Sequence, residues 1–583
     1  MYPGSGRLPG DLIRVLPTGF TAEQCELLAG ELNPFLAARF TAGGNPEEDF
    51  CRLVIGAHAA LVRGAGFYLP EEAELIGGTD GLWVAVPKIP CVAELSVELF
   101  QQLLKLCAST VRQRTPAAHW IGELRQQFPK ISQAVLAVSH MARATYELGL
   151  PLLEIHGAFL QAGYGATGVA VTGSITENTP SMGIHLAREK SKANALLARA
   201  GFPIAKGDLV RDLRHALHCA DALGYPVVVK PADLDGGIAV SSDVRTPAEL
   251  EAAFAQARAA SPRVMVEKHI HGTDHRLLMF GDDLLVALER TPGGVTGNGT
   301  DTVAQLLDEL NRDPKRGNGA VGLLHQISFD EEAKLMLRRQ GLTLESVPEA
   351  DRFVPLRRAA NHARGGMVRV VEHVHPDNVD LARRAMRLLR LDIAGLDIIL
   401  PDVTRSWHET GGAICEVNAQ PYIGEVIGRD YYKEILQSLV PKGGRIPLVL
   451  AVGSPDAATL GRIAQTAGCA IVDAAGARRD GHPLSTEGMP WLTACQAALY
   501  DRETIAALFI LDPDQPAPLV SPADRFSAAL VLESPPQWAE SLLRRADVIY
   551  ALDAACPALS EVGLEFEMVQ KVAVAEVLAT ALA

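Results

Sequence analysis

Residues 392 to 421 read DIAGLDIILPDVTRSWHETGGAICEVNAQP, and this stretch constrains the chain more than any other. Its two apolar runs, GLDIIL and AICEVN, are short and bounded by Pro and Gly, so they predict two buried strands joined by a polar, hairpin-like connection. Side chains alternate along a strand, which puts Glu416 and Asn418 on one face. If the strands pair, Asp397 adds a third oxygen ligand beside them. Two carboxylates and an amide oxygen suit Mg²⁺, a hard cation that keeps room for substrate phosphates. The bland alternative is a pair of edge strands whose acids face water. Acids set in apolar strands are costly without a partner, which weighs against it.

Composition sets the outer limits. At 583 residues the chain exceeds what one core supports, so about two to four domains are expected. A hydrophobic fraction of 48% with 21% charged residues describes a globular protein rather than a disordered one. The net charge of −15 argues against general nucleic-acid or anionic-membrane binding, without excluding a local basic cleft. The 9 cysteines are scattered with no CxxC pair, so they read as reduced core residues, and a cytoplasmic location is expected. The N-terminus carries no basic-then-apolar signal, and no run of about 18 apolar residues occurs, so no membrane association is expected.

The fold class expected is multi-domain α/β in three parts. Residues 1–165 form an N-terminal α+β domain, with helical spacing over 94–111 and 130–149 and a short strand in LPLLEIHG. Residues 166–440 carry the polar motifs. Residues 441–583 follow the PKGG linker, and RIPLVLAVGSPDAATLGRIAQTAG reads there as strand, loop, helix. The later runs AALFILD and SAALVLE suggest a small parallel sheet.

Nucleotide signals fill the middle part. GYPVVVKPADLDGGIAV is a strand delivering Lys230, followed by Gly236-Gly237, where backbone N–H groups can approach phosphates. It is not a Walker motif, since no Gly-Lys-Ser/Thr follows. Upstream, LAREKSKANALLARAGFP is an amphipathic helix with Lys190 in its first half. Downstream, RVMVEKHIHGTDHRLLMFGDDLLVALER reads as a strand, a linker and a hairpin turning at Gly281-Asp282-Asp283. The strand end at Glu267, Lys268 and His269 can receive an adenine against backbone groups.

The order of these elements is the ATP-grasp layout. ENTPSMGIHLAREK, VVVKPADLDGG, VEKHIHGTDHRLLMF, NRDPKRGNG, QGLTLESVP, HPDNVDLARRA, LDIAGLDIILPDVT and ETGGAICEVNAQP resemble the ATP-grasp half of cyanophycin synthetases, and LEIHGAFLQAGYG resembles their run into that domain. The resemblance implies an ADP-forming peptide ligase using ATP and Mg²⁺. Lys190 and Lys230 would hold α and β phosphates, Glu267 the ribose, and Gly236, Gly237, Lys268, His269, Ile270 and Asp274 would complete the nucleotide site. Asp397, Glu416 and Asn418 would hold two magnesium ions. Arg276, Arg290, Arg357 and Asn361 match positions near the γ-phosphate and the activated carboxyl.

This chain departs from the family pattern at three places. The glycine-rich loop reads ADLDGGIAV and lacks a histidine, Ala363-Arg364 replace small hydroxyl residues before Gly365-Gly366, and Gln420-Pro421-Tyr422 replaces a glycine-containing turn. All three lie where an acceptor would sit. Full-length relatives continue into a Mur-ligase-like module with a glycine-lysine phosphate loop, whereas AVGSPDAATLGRI at 451–463 has no lysine, so residues 441–583 read as a degenerate, truncated copy. The resemblance is then to the shortened enzymes that polymerise β-aspartyl-arginine dipeptides. A peptide or isodipeptide, the growing polymer and a homo-oligomer, dimer or tetramer, are the expected partners. A glutathione-synthetase-like ligase and a non-catalytic nucleotide- or polymer-binding pseudo-ligase are the competing readings.

Overall fold

The computed structural model describes residues 10–583 except 16–18, 37, 66, 68, 70–72, 79–80, 88–92, 114–115, 128–132, 235–237, 314–315, 318–323, 359, 361–364, 422, 424–430, 516–520 and 537–538. The chain divides into two compact units, one made of Met1–Gly173 with Tyr432–Ala583 and the other of Ser174–Tyr431. Residues 1–165 and 441–583, separate domains in the sequence reading, thus fall in the same unit.

In the first unit, helices Ala22–Leu32, Pro46–Gly64, Ala93–Gln113 and Ala117–Gln127 pack with an antiparallel sheet in which Gly81–Pro87 lies between Gly10–Val15 and Glu74–Gly78. Helix Pro46–Gly64 shows why such segments are helical. Asn45 caps the first turn, Pro46 supplies a preset φ, and Glu47, Glu48 and Asp49 face the positive end of the dipole. Its apolar face buries Phe50, Leu53 and Val54 with Leu28, Leu32, Phe100 and Leu103.

The later part of this unit is built on a sheet of eight strands rather than a small one. Cys469–Asp473, Ala506–Leu511, Leu448–Val452, Ala528–Val531 and Ile549–Ala551 run parallel in that spatial order. Their sequences are near-continuously apolar because helices cover both faces. Leu448, Leu450 and Val452 pack with Trp491 and Phe509 on one face, while Val449 and Ala451 pack with Ile463 and Leu578 on the other. The motif Gly163-Tyr164-Gly165 is tied to this sheet. The Tyr164 hydroxyl donates to Asp524 at 3.1 Å, and Asp524 also pairs with Arg445. Gly165 has φ +52°, and a Cβ there would lie 2.2 Å from the Thr504 carbonyl oxygen, so only glycine fits.

The second unit holds two antiparallel sheets. The first has the order Ser241–Val244, Val227–Pro231, Val264–Lys268, Gly207–Val210, backed by helices Leu213–Leu223 and Pro247–Ala260. The second has the order Met367–Val371, Asp283–Thr291, Thr273–Phe280, Ile393–Leu400, Ala413–Asn418. Its inner residues Leu277, Met279, Leu396 and Ile398 pack against Leu381, Ala385 and Leu389 of helix Pro376–Leu388 and its end. A smaller cluster joins strands Gly294–Thr296 and Phe353–Pro355 to helices Val303–Asn311 and Glu331–Arg339. Among the described residues no helix is long and apolar enough to cross a membrane.

One buried group in the first unit makes its stability pH-dependent. The His58 ring is fully buried, 5.6 Å from Phe100 between centroids, with Nε2 3.1 Å from the Ser96 carbonyl oxygen and Nδ1 without a hydrogen-bond partner. Burial pushes its pKa down to about 4, with the Ser96 hydrogen bond opposing. An unfolded histidine titrates near 6.5, so below that pH the unfolded chain takes up a proton that the folded chain refuses. Stability is therefore lost as pH falls from about 6.5 towards 4, by up to ~3 kcal/mol from this group. Urea unfolding between pH 7.5 and 4.5 should show this loss, and His58→Leu should flatten it. Equal pH slopes in both proteins would refute the neutral-ring account.

Candidate functional site

The outer face of the five-stranded sheet carries the site, and strand alternation explains most of it. In Ile393–Leu400, residues Ala394, Leu396, Ile398 and Leu400 enter the core, which turns Gly395 and Asp397 outwards. In Ala413–Asn418 the core residues are Ile414 and Val417, a spacing that plain alternation forbids. A β-bulge resolves it. Asp397 pairs with Glu416 and Ile398 with Ile414, leaving Cys415 as the extra residue. With every residue of this strand paired in simple alternation Glu416 would point into the core beside Ile414; with the bulge, Glu416 lies opposite Asp397 and Asn418 opposite Gly395.

The neighbouring strands add cations on the same face. Arg276 lies directly opposite Asp397, and Arg290 opposite Asp274. Arg276 binds Asp397 bidentately, Nε–Oδ1 at 2.7 Å and Nη2–Oδ2 at 2.8 Å. Arg290 Nη2 reaches Asp274 Oδ1 at 2.6 Å and Asp397 Oδ2 at 3.1 Å. Burial alone would raise both carboxyls. Asp274 is indeed raised, since burial outweighs Arg290, whereas Arg276 and then Arg290 hold Asp397 below the usual carboxylate range.

Two lysines come from other elements. Lys190 opens helix Lys190–Arg199, and its Nζ lies 3.2 Å from Glu416 Oε1 and 2.7 Å from the Leu234 carbonyl oxygen. It therefore connects strand Ala413–Asn418 to the chain just after strand Val227–Pro231. Lys230 sits on that strand, 2.6 Å from Glu267 Oε2 on Val264–Lys268. Burial opposes its charge, but the Glu267 carboxylate outweighs burial and the ammonium is held above its ordinary range.

The expected nucleotide and metal residues are thus brought together only in part. Asp397, Glu416 and Asn418 share a face with Arg276, Arg290 and Asp274, and Lys190 joins them. The Asn418 amide nitrogen lies 3.3 Å from the Gly395 carbonyl oxygen. Turned over, the amide bridges Glu416 Oε1 and Arg276 Nη2, each at 3.3 Å. Among the described residues no three His, Cys, Asp or Glu side chains form a metal cluster, so a cation here depends on two carboxylates plus this amide. That hard-oxygen donor set fits Mg²⁺.

Arg357 differs from expectation. Its buried guanidinium is bound to Asp330 at 3.0 Å and to the Ser328 carbonyl oxygen at 2.6 Å, so its charge is spent within the smaller cluster. The backbone N–H groups of Lys268 and His269 are already bonded to Lys206 and Pro226 carbonyls, which narrows what an adenine could meet there. Ile270 follows them, partly buried. Gly236, Gly237 and Asn361 lie outside the described residues, as do Arg364 and Tyr422. Cys415, which the sequence reading treated as one more scattered thiol, lies among Asp274, Lys230, Glu267 and Asp397, and burial with those carboxylates pushes its pKa up. Only the bulge reveals that position.

Residues 189–276 match the family model of the carbamoyl-phosphate synthase L chain, ATP binding domain. A cyanophycin synthetase of Nostoc sp. (strain PCC 7120 / SAG 25.82 / UTEX 2576) is 35% identical over 376 residues, 62% of this chain and 42% of that protein. The chain is similar to cyanophycin synthetases over this stretch. It spans under half the length of those relatives. A bifunctional glutathione biosynthesis protein of Mannheimia succiniciproducens is 30% identical over 264 residues, 44% of this chain and 35% of its own. Among solved structures, a bifunctional glutathione synthetase from Pasteurella multocida aligns at 24% identity over 60% of this chain and 52% of that one, with a TM-score of 0.40.

The Lys230–Glu267 pair gives a stability test. Both side chains are largely buried, at 13% and 6% exposure, so removing one partner strands the other charge. Lys230→Met should destabilise the second unit by about 3 kcal/mol or more, and Lys230→Met/Glu267→Leu should recover most of that. Chemical denaturation of the two variants decides it; an equally unstable double variant would show that packing, not charge, is at stake.

Proposed function

We propose that the second unit is an ATP-dependent carboxylate–amine ligase acting on peptide substrates. The observation that carries this reading is the juxtaposition of Asp397 with Glu416 on one sheet face, bordered by Arg276, Arg290 and Lys190. A carboxylate is a poor electrophile. Transfer of the ATP γ-phosphoryl to it releases ADP and leaves an acyl phosphate; an amine then attacks the carbonyl, the C–O bond to phosphate breaks, and phosphate departs. Arg276 and Arg290 supply fixed positive charge where both transition states gain negative charge. Lys190 and Lys230 would hold the remaining phosphates. Mg²⁺, held by Asp397, Glu416 and Asn418, would screen the phosphate charge when bound.

For the substrate we propose β-aspartyl-arginine or a related isodipeptide, joined into a cyanophycin-like polymer. The relatives' names motivate the polymer, and the loop after strand Leu448–Val452 motivates the single activation site. That loop has no lysine. Its Gly453 lies against the Glu533 side chain, and Asp456 caps helix Ala457–Ile463 with its own carboxylate. A phosphate there would meet two acids. Building a branched polymer from free amino acids takes two distinct carboxyl activations, one for the backbone and one for the side chain.

A phosphate-release screen over amino acids, dipeptides and isodipeptides, with and without polymer primer, tests the reading. Preformed β-aspartyl-arginine with ATP should give polymer, ADP and phosphate, and free aspartate plus arginine should give none. Polymer from the free amino acids, or AMP with pyrophosphate as products, would overturn it. Turnover only with γ-glutamylcysteine and glycine would favour the glutathione-type chemistry instead. Asp397→Ala and Glu416→Ala should each lower the rate roughly 10²-fold or more in folded protein, while Ser454→Ala should leave it unchanged.

A further inference from the structure

The charges of the site are already matched to one another. Four cations, Lys190, Lys230, Arg276 and Arg290, pair respectively with Glu416, Glu267, Asp397 and Asp274. Asp397 is the most heavily engaged. Arg276 takes both of its oxygens, and Arg290 adds a second donor to Oδ2. It is only 6% exposed, so little room remains for another ligand to approach without displacing a guanidinium. The strands bearing Arg276 and Asp397 are paired over their whole length, Thr273 to Phe280 against Leu400 to Ile393, and packed into one core. The sheet does not need this ion pair to hold its register.

We infer that the pairing is a charge lock: Asp397 and Glu416 accept a divalent cation only once nucleotide phosphates draw Arg276 and Lys190 away from them, so nucleotide and metal load together and the metal does not load alone. The inference rests on the reading of this face as an ATP site. A divalent cation entering by itself would meet two guanidinium groups and an ammonium, and would leave a surplus of positive charge in a partly buried site. Phosphates entering alone would draw Arg276 from Asp397 and Lys190 from Glu416 and leave the carboxylates short of positive charge. Guanidinium groups match phosphate as well as carboxylate in bidentate geometry, so the exchange of partners needs no new donor. Whatever nucleotide does for metal affinity, metal does equally for nucleotide affinity, since coupling is reciprocal. Arg276 thereby acts on the metal through Asp397, as a positioning residue, in addition to any contact with phosphate.

The test is a gain of binding on removing a positive charge. Mn²⁺, a spectroscopic substitute for Mg²⁺, is titrated into the full chain without nucleotide and followed by electron paramagnetic resonance. The wild type should take up little. Arg276→Met, which takes the bidentate guanidinium from Asp397, and Lys190→Met, which takes the ammonium from Glu416, should each bind Mn²⁺ roughly tenfold or more tightly. Arg276→Met/Asp397→Asn should lose the gain, which fixes the location. If Arg276→Met does not fold by thermal unfolding, Lys190→Met with Lys190→Met/Glu416→Gln decides. Wild type binding Mn²⁺ alone as tightly as the variants overturns the lock and leaves the site reading standing. So does a gain that persists in the double variants. Failure of every protein to take up Mn²⁺ with a non-hydrolysable ATP analogue present overturns the site reading itself, and the lock with it.

Discussion

The ion pair between Arg276 and Asp397 ties the chemistry of the second unit to its fold. The two residues are cross-strand partners on adjacent antiparallel strands, so the register that builds the core also places a guanidinium fork against a carboxylate. Asp397 is buried, and burial alone would favour its neutral form. Two arginines reverse that preference and keep the oxygens ionised, the state in which they can coordinate a cation. A buried pair of this kind is a poor stabiliser compared with apolar packing. Its persistence on a face otherwise free to be apolar is better understood as a preset arrangement of charge that ligands rearrange.

The bulge at Cys415 is what makes that arrangement possible. Strand parity allows Ile414 and Val417 both to face the core only if one extra residue, Cys415, lies between them. The same residue turns Glu416 to the outer face, opposite Asp397. Pairing the strand without the bulge would instead shift one side by one residue, turning Glu416 inwards and Val417 outwards. The sequence AICEVN thus satisfies packing and chemistry together, at the cost of one unpaired position.

Much of this was legible in the sequence. Short apolar runs bounded by Pro and Gly located the strands around 392–421, and period-2 reasoning put Glu416 and Asn418 on one face with Asp397 alongside. The hairpin Thr273–Phe280 with Asp283–Thr291 was visible for the same reason, and so was a helix carrying Lys190, although the single helix read over LAREKSKANALLARAGFP is broken at Glu189 into Ser181–Arg188 and Lys190–Arg199. What stayed hidden was non-local. The bulge depends on pairing register, which no single strand displays. The family resemblance implied a phosphate contact for Arg357, whereas Asp330 and Ser328, distant in sequence, bind its guanidinium. The connection between strands Ile393–Leu400 and Ala413–Asn418 read as a polar, hairpin-like link but holds a short helix, Trp407–Thr410, capped by Ser406.

The composition of the first unit follows from similar non-local reasons. Gly163, Tyr164 and Gly165 read in the sequence as a lead into the ATP-binding region, yet their tight contacts are with the late part of the chain. Gly163 approaches Gly444, Gly165 approaches Thr504, and Tyr164 reaches Asp524. Arg445 completes the set by binding both Asp524 and the Gly149 carbonyl oxygen. These contacts are close, buried and directional, so the eight-stranded sheet has a structural duty whether or not any ligand binds to it. A parallel sheet tolerates polar substitution in its core unless another segment depends on its packing. The fixing of residues 149–165 by Thr504, Asp524 and Arg445 supplies such a dependence, and it accounts for a well-packed core beneath a loop where Glu533 and Asp456 disfavour an anion.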